Sequence, residues 1–205
     1  RYVGRSCISV LHRRGIHDPA LLHQPRRLSG VATLTSLADH ELVARAASSQ
    51  DAAAFGELVR RHQSHVRNFL RKLCGDIATA DDLAQDCFMH AWDKLHTFSG
   101  RGSFIGWLLK VAYTTFLQSK RKSKRYAEIL EKAGHIADLE SRTHTVQADE
   151  VTDLDRFLAV LSEEERAVMV MSYACGLSHR EISEATSMPV GTVKSVIFRG
   201  KEKIR

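Results

Sequence analysis

The chain has 205 residues, 43% of them hydrophobic, and its 30 Lys and Arg outnumber 24 Asp and Glu for a formal net charge of +6. That length holds one large domain or two small ones, and the cationic surplus favours a polyanionic partner. No apolar run approaches the about 20 residues of a membrane span, and the first residues lack the charged, apolar, small-residue order of a secretory signal, so neither membrane insertion nor secretion is expected and the cytoplasm is the expected compartment.

Residues 1–38 hold two of the three prolines, Pro19 and Pro25, together with Arg13-Arg14 and Arg26-Arg27, and no sustained period. This composition predicts a basic, disordered N-terminal extension. The chain opens on Arg1 rather than Met, as a fragment or a processed product would.

Helical periodicity strengthens from Asp39. Asp51 is placed to cap a helix whose apolar positions are Phe55, Leu58, Val59, Val66, Phe69, Leu70 and Leu73, stopping at Gly75. Asp81 or Asp82 is the expected cap of the next, with Ala84, Cys87, Phe88, Ala91, Trp92 and Leu95 on one side. After the loop Ser99-Gly100-Arg101-Gly102, Ser103 starts a third long helix through Phe104, Trp107, Leu108, Val111, Ala112 and Phe116. It runs into the cationic block Lys120–Arg125. Three amphipathic helices with short links predict a compact bundle over 39–125.

The charge pattern then reverses. No Asp or Glu lies between His96 and Ala127, whereas Glu128, Glu131, Asp138, Glu140, Asp149, Glu150, Asp153 and Asp155 crowd the next stretch. Residues 126–150 are therefore expected to form a flexible acidic linker, with a helical start at most. A second module over 151–205 opens with Leu154, Phe157, Leu158 and Leu161. Ser162 with Glu165 makes a capping box for a helix through Val168 and Met171 that stops at Gly176.

Ser178 with Glu181 makes a second capping box, so a helix starts at His179 with Ile182 and Ala185 on its apolar side. Ser187-Met188-Pro189 breaks it, because Pro restricts its predecessor and cannot continue a helix. Another helix restarts near Val190 with Val193, Val196 and Ile197 as its buried stripe. Two short helices joined by a tight turn, the second bearing cations, describe a helix-turn-helix, which holds a positive helix rigidly enough to enter a major groove. No strand pattern competes, and the fold class expected is all-α: two small helical domains joined by a flexible linker.

Three segments, in order, resemble the bacterial sigma factors. Ala80 to Trp92 is similar to that family's polymerase-binding helix. Phe98 to Leu109, with Gly102-Ser103-Phe104 and Gly106-Trp107-Leu108-Leu109, is similar to its promoter-melting segment, and Gly176-Leu177-Ser178, Glu181-Ile182 and Pro189 to Ser195 are similar to its DNA-reading end. With only two modules, the closest resemblance is to the extracytoplasmic-function subgroup, and it covers about residues 40–205. It implies a factor that binds core RNA polymerase, directs it to promoter DNA through the upstream (−35) and downstream (−10) elements and helps open the strands. It also implies an anti-sigma partner that clamps the two domains. No catalysis and no cofactor are expected.

The resemblance assigns residues. Polymerase contact falls to Asp81, Asp82, Gln85 and Asp86. The downstream element and single strand fall to Phe98, Arg101, Ser103, Tyr113, Thr114, Gln118, Lys120, Arg121 and Lys122. This agrees with the chemistry of single-strand binding, which uses a cationic surface with aromatic platforms. Relatives usually carry Asn near Thr114 and Asn or Asp near Gln118; Thr and Gln can still hydrogen-bond there, and the resemblance leaves the downstream preference open. Phe104 and Trp107 are read as core. Thr192, Lys194, Ser195, Phe198 and Arg199 are assigned to the upstream element, where cations donate to guanine and an aromatic edge meets a thymine methyl. Val196, where relatives often carry Arg, continues the apolar stripe and is assigned to packing.

Other functions find little support. Cys7, Cys74, Cys87 and Cys175 form no CxxC pair, and the last three fall within or at the end of predicted helices as buried thiols. His62 and His65, one turn apart, have no third ligand in view, and no metal is expected. No HExxH, P-loop or nucleophile-elbow spacing is present. The alternative is a helix-turn-helix regulator acting without polymerase, which leaves the Ala80–Trp92 helix and its basic neighbour unexplained.

Overall fold

The computed structural model describes residues 34–132 and 153–204. Of the disordered extension expected over residues 1–38, residues 1–33 lie outside the described residues, as do Cys7 and residues 133–150 of the expected linker; residues 34–38 are described, with Leu34 buried. All regular elements described are helical: α1 (Asp39–Ser49), α2 (Ala52–Cys74), α3 (Ile77–Lys94) with a 3-10 turn (Leu95–Thr97), α4 (Phe104–Lys132), α5 (Asp153–Ala159), α6 (Glu163–Tyr173), α7 (His179–Thr186) and α8 (Val190–Ile204). Helices α1–α4 pack on one another as one bundle and α5–α8 as another; α4 also lies along α7, and α2 along α6.

The first bundle follows its apolar stripes. The Asp51 carboxylate accepts the Ala53 and Ala54 N–H groups and starts α2, while Gly75 ends it in the left-handed region at φ 69°, its N–H bonding the Arg71 carbonyl. Phe55, Leu58, Val66, Phe69, Leu70 and Leu73 are buried as expected, and Val59 is half-buried. Helix α1 has no counterpart among the expected elements. Its short stripe, Leu42, Val43 and Ala46, is buried, and Asp39 in its first turn binds Arg61 and His62 of α2.

One expectation is corrected and another is made definite. The cap of α3 is Asp76, whose carboxylate accepts the Thr79 N–H at 2.7 Å, so the helix begins a full turn before Asp81 and Asp82. The outward-facing Ile77 gave the apolar pattern no visible onset there. Helix α4 carries on through the cationic block to Lys132, so residues 126–132 form the helical start allowed for the linker.

In the second bundle both capping boxes form, at Ser162–Glu165 and Ser178–Glu181. Leu158, Leu161, Val168, Met171, Ile182, Val193 and Ile197 supply the core. Phe157, expected inside, is exposed; the polar tie between α5 and α6 is instead Arg166 Nε, which donates to the Leu158 carbonyl at 3.0 Å. Gly200 sits against Met169, where a Cβ would fall 2.9 Å from the sulfur, so α8 lies tightly on α6. Cys74 and Cys87 are buried and Cys175 half-buried. Burial pushes all three thiols up, Cys74 and Cys175 to about 11, which keeps them protonated.

Candidate nucleic-acid and polymerase interfaces

The helix-turn-helix is held from within. Ser178 Oγ accepts the Glu181 N–H, and Glu181 Oε2 accepts the Ser178 N–H at 2.9 Å. Thr186 Oγ1 donates to the Ile182 carbonyl, and Ser187 then turns the chain in the left-handed region at φ 61°. The Pro189 carbonyl accepts the Val193 N–H at 3.0 Å and opens α8. Val193, Val196, Ile197 and Gly200 face inward. The opposite side presents Thr192, Lys194, Ser195, Phe198 and Arg199, all exposed, with Phe198 at 66%. These residues recur at helical spacing on one face, and a helix about 10–12 Å across fits a major groove about 12 Å wide. Among the described residues, no acid is ion-paired with Lys194 or Arg199. The buried Val196, 5% exposed, belongs to packing as expected.

A second face is built on α4 and the loop before it. Phe98 lies edge-on to Phe104 at 5.6 Å and tilted against Trp107 at 5.8 Å; Phe104 is buried, and Phe98 and Trp107 are half-buried. Around them lie Arg101, Lys110, Thr114 and Gln118, which line a cavity of about 480 Å³ together with His90 and Lys94 from the end of α3. Thr114 Oγ1 donates to the Lys110 carbonyl at 2.8 Å, and His90 Nδ1 meets Thr115 Oγ1 at 3.1 Å. The other wall of this cavity is α7, through Arg180, Glu181, Glu184 and Ala185. Ser103 Oγ donates to Glu181 Oε1 there. Burial pushes the Glu181 carboxyl up, but the bonds from Ser103 and Ser178 outweigh it and hold the group below the usual carboxylate range.

Not every assigned residue reaches this face. Tyr113 is 6% exposed, stacked near Phe116 on the inner side of α4, where burial and then Glu164 and Glu163 push its phenol up. It packs in the core and offers almost no surface to this face. Lys120 Nζ is bound to Glu163 Oε1 at 2.6 Å, while Arg121 and Lys122 are exposed. Residues His90, Lys94 and Lys110 line the cavity without having been singled out. Lys110 had a signal in the acid-free run; the α7 wall had none, since its contacts span 78 positions.

The third surface is on α3. Asp82 and Asp86 are exposed and Gln85 half-exposed, at spacings of three and four that put them on one face. Asp81 turns away to α2, where Arg71 Nη2 lies at 3.4 Å and Arg67 Nε at 3.8 Å. His62 is likewise engaged: its Nε2 is 2.6 Å from Asp39 Oδ2, and its ring lies 5.4 Å from that of Phe104.

Comparison with known proteins follows this division. The family model of Sigma-70 region 2 matches residues 58–126, and that of Sigma-70, region 4 matches residues 152–204. The chain is 30% identical over 182 residues to the RNA polymerase sigma-H factor of Pseudomonas aeruginosa, an alignment covering 83% of this chain and 94% of that one. Against the ECF RNA polymerase sigma-E factor of Escherichia coli it is 30% identical over 181 residues, covering 82% and 93%. Two solved structures share the fold with a TM-score of 0.59. One is the sigma factor RpoE in complex with the anti-sigma factor NepR from Bartonella quintana, at 24% identity over 73% of this chain and 93% of that one. The other is CnrH in complex with the cytosolic domain of CnrY, at 27% identity over 81% and 94%. With both regions matched in order and near-complete coverage of relatives at this identity, the chain belongs to the RNA polymerase sigma factors, in their extracytoplasmic-function subgroup.

Proposed function

We propose that this protein binds core RNA polymerase and directs promoter-specific initiation, with α8 reading the upstream (−35) element and the α4 face taking the downstream (−10) element as its strands open. The polymerase holds the active site; this chain supplies specificity and a surface for the displaced strand. The observation that carries the reading is the presence, in one chain, of an exposed cationic reading helix and a second face combining Phe98 and Trp107 with Arg101 and Lys110. One surface suits a duplex major groove and the other an unpaired strand.

The residues proposed for each role follow exposure. Asp82, Gln85 and Asp86 meet polymerase; Phe98, Arg101, Ser103, Thr114, Gln118, Lys120, Arg121 and Lys122 meet the downstream element; Thr192, Lys194, Ser195, Phe198 and Arg199 meet the upstream one. Residues 39–125 and 151–205 act as the two functional modules, with 126–150 bridging them. Work alongside polymerase places the protein in the cytoplasm; among the described residues no helix is long and apolar enough to cross a membrane. An anti-sigma factor is the proposed regulator, on the likeness to relatives solved with one. A pull-down from the native host in which no protein masks either module counts against it.

Reconstitution tests the main reading. The protein mixed with core polymerase should form a holoenzyme that initiates at a discrete set of promoters in a genomic library. Failure to bind core overturns the proposal in favour of a free-standing regulator.

A further inference from the structure

The buried hydroxyl of Thr115 on α4 lies between two partners. Its oxygen is 2.9 Å from the Val111 carbonyl oxygen, one helical turn back, and 3.1 Å from Nδ1 of His90 on α3. A hydroxyl has one proton to give. Given to His90, it leaves two oxygens facing each other at 2.9 Å with no hydrogen between them. Given to Val111, it leaves an oxygen lone pair for an N–H on His90 Nδ1, and every contact is matched. Nδ1 therefore carries a hydrogen in the neutral ring as well as in the cation, and the lone pair of the neutral ring sits on Nε2. Nε2 makes no hydrogen bond among the described residues and is reached by solvent. His90 is half-buried and lines the cavity of about 480 Å³ that Phe98 and Trp107 also line.

From this geometry we infer that His90 is a specificity-determining residue for the downstream strand: its Nε2 offers one hydrogen-bond acceptor and selects a base with an exocyclic amine over one with a keto oxygen. The inference rests on the reading of the α4 face as the single-strand face. Cytosine N4 and adenine N6 are such amines, whereas thymine O4 is a keto oxygen. Thr114 is a fixed acceptor nearby, since its proton goes to the Lys110 carbonyl. His90 differs in that its preference can change sign. Imidazole changes charge between pH 5 and 8. With Nδ1–H already committed to Thr115, the added proton arrives on Nε2 and turns the acceptor into a donor. Its charged surroundings are Asp86 and Lys94 one turn to either side on α3, Arg101 in the loop and Lys110 on α4. Helix α7 adds Arg180, Glu181 and Glu184. The hydrogen-bonded pair itself joins two helices of the first bundle, so the second bundle does not set the tautomer.

Holoenzyme reconstituted with the full chain tests this by binding alone. Single-stranded oligonucleotides spanning the downstream element carry either 5-methylcytosine or thymine at one position and are randomised elsewhere. The two bases share ring and methyl group and differ in amine against keto. At one position the parent should favour 5-methylcytosine at pH 8 by about five-fold, the worth of one hydrogen bond, and should lose or reverse that preference at pH 5.5. His90→Gln, whose amide can turn either end to the base, should show no change with pH, and it carries any titration of the DNA itself. His90→Lys, which only donates, should favour thymine at both pH values. A parent preference that ignores pH or has the opposite sign overturns the role of His90, and so does a pH response that survives in His90→Gln; in each case the α4 reading stands. Failure of that reading looks different and overturns both: no position discriminates at either pH, and Phe98→Ala binds the oligonucleotides as tightly as the parent.

Discussion

Lys203 Nζ lies 2.8 Å from both carboxylate oxygens of Glu165, the residue that closes the α6 capping box onto the Ser162 N–H at 3.0 Å. One carboxylate thus starts α6 and fastens the last turn of the reading helix, 38 residues away in sequence. Glu165→Ala removes both roles and should lower stability by about 1–2 kcal/mol in urea denaturation. Glu165→Gln keeps the box and should lose less. Lys203→Met, which removes a half-exposed cation only, should cost at most about 1 kcal/mol.

A carboxylate in the first bundle contributes to the acid limit, along with Asp51, Glu165 and Glu181, which are also held low. Glu57 is 8% exposed and accepts from Arg60 Nε and Nη2 at 2.7 Å and from Arg61 Nε at 2.8 Å. The Arg60 bond, against the cost of burial and with help from Arg61, holds its pKa down to about 2 from the ordinary 4.5. The folded value lies below the unfolded one, so its contribution is complete above about pH 4.5 and is lost as pH falls towards 2. Denaturation midpoints recorded from pH 6 down to about 2.5 should fall in the parent and fall less steeply in Glu57→Gln, which starts lower but carries no titrating group there.

How far these relationships were readable from the sequence depends on their range. Asp51, Ser162 and Ser178 satisfy N–H groups within three residues of themselves, and Gly75 ends its own helix, so spacing alone placed them. Asp76 follows the same chemistry but has no apolar signal beside it, because Ile77 after it is exposed and the buried stripe begins only at Ala80. Tyr113 shows the other limit. One stripe explains Val111, Ala112 and Phe116, but α4 is covered on more than one side, and the acids near Tyr113 come from α6. Pairs such as Ser103–Glu181 and Lys120–Glu163 join different bundles far apart in sequence, and nothing local encodes them.

The acidic surface of α3 divides accordingly. Asp81 is held by Arg71 and Arg67, whereas Asp82 and Asp86 project freely from the same helix. Asp82→Ala and Asp86→Ala should each weaken binding to core polymerase by roughly ten-fold or more, as central charged anchors do, with unfolding unchanged. Asp81→Ala should do the reverse: a loss of about 0.5–1 kcal/mol of stability with core affinity nearly intact. Competition for core against a labelled reference factor, run beside thermal melts, separates the two outcomes. Equal loss of affinity at all three positions would show that Asp81 leaves its arginines on binding.

Val196 limits what the reading helix can touch. At 5% exposure it points into the second bundle, so Val196→Arg does not extend the DNA face; it buries a guanidinium beside Val193 and Ile197 and should cost about 2 kcal/mol or more in stability. Recognition is left to the exposed set. Arg199→Ala should cost about 1–3 kcal/mol and relax preference at one position if the guanidinium forks onto a base. Lys194→Ala, if it grips phosphate, should weaken all sequences alike and reduce the salt slope of binding by about one. Holoenzyme carrying both changes should still assemble and bind a single strand supplied in trans, but should no longer choose among upstream elements in a competitive selection. If the double variant selects the parent's promoters, α8 is not the reading helix.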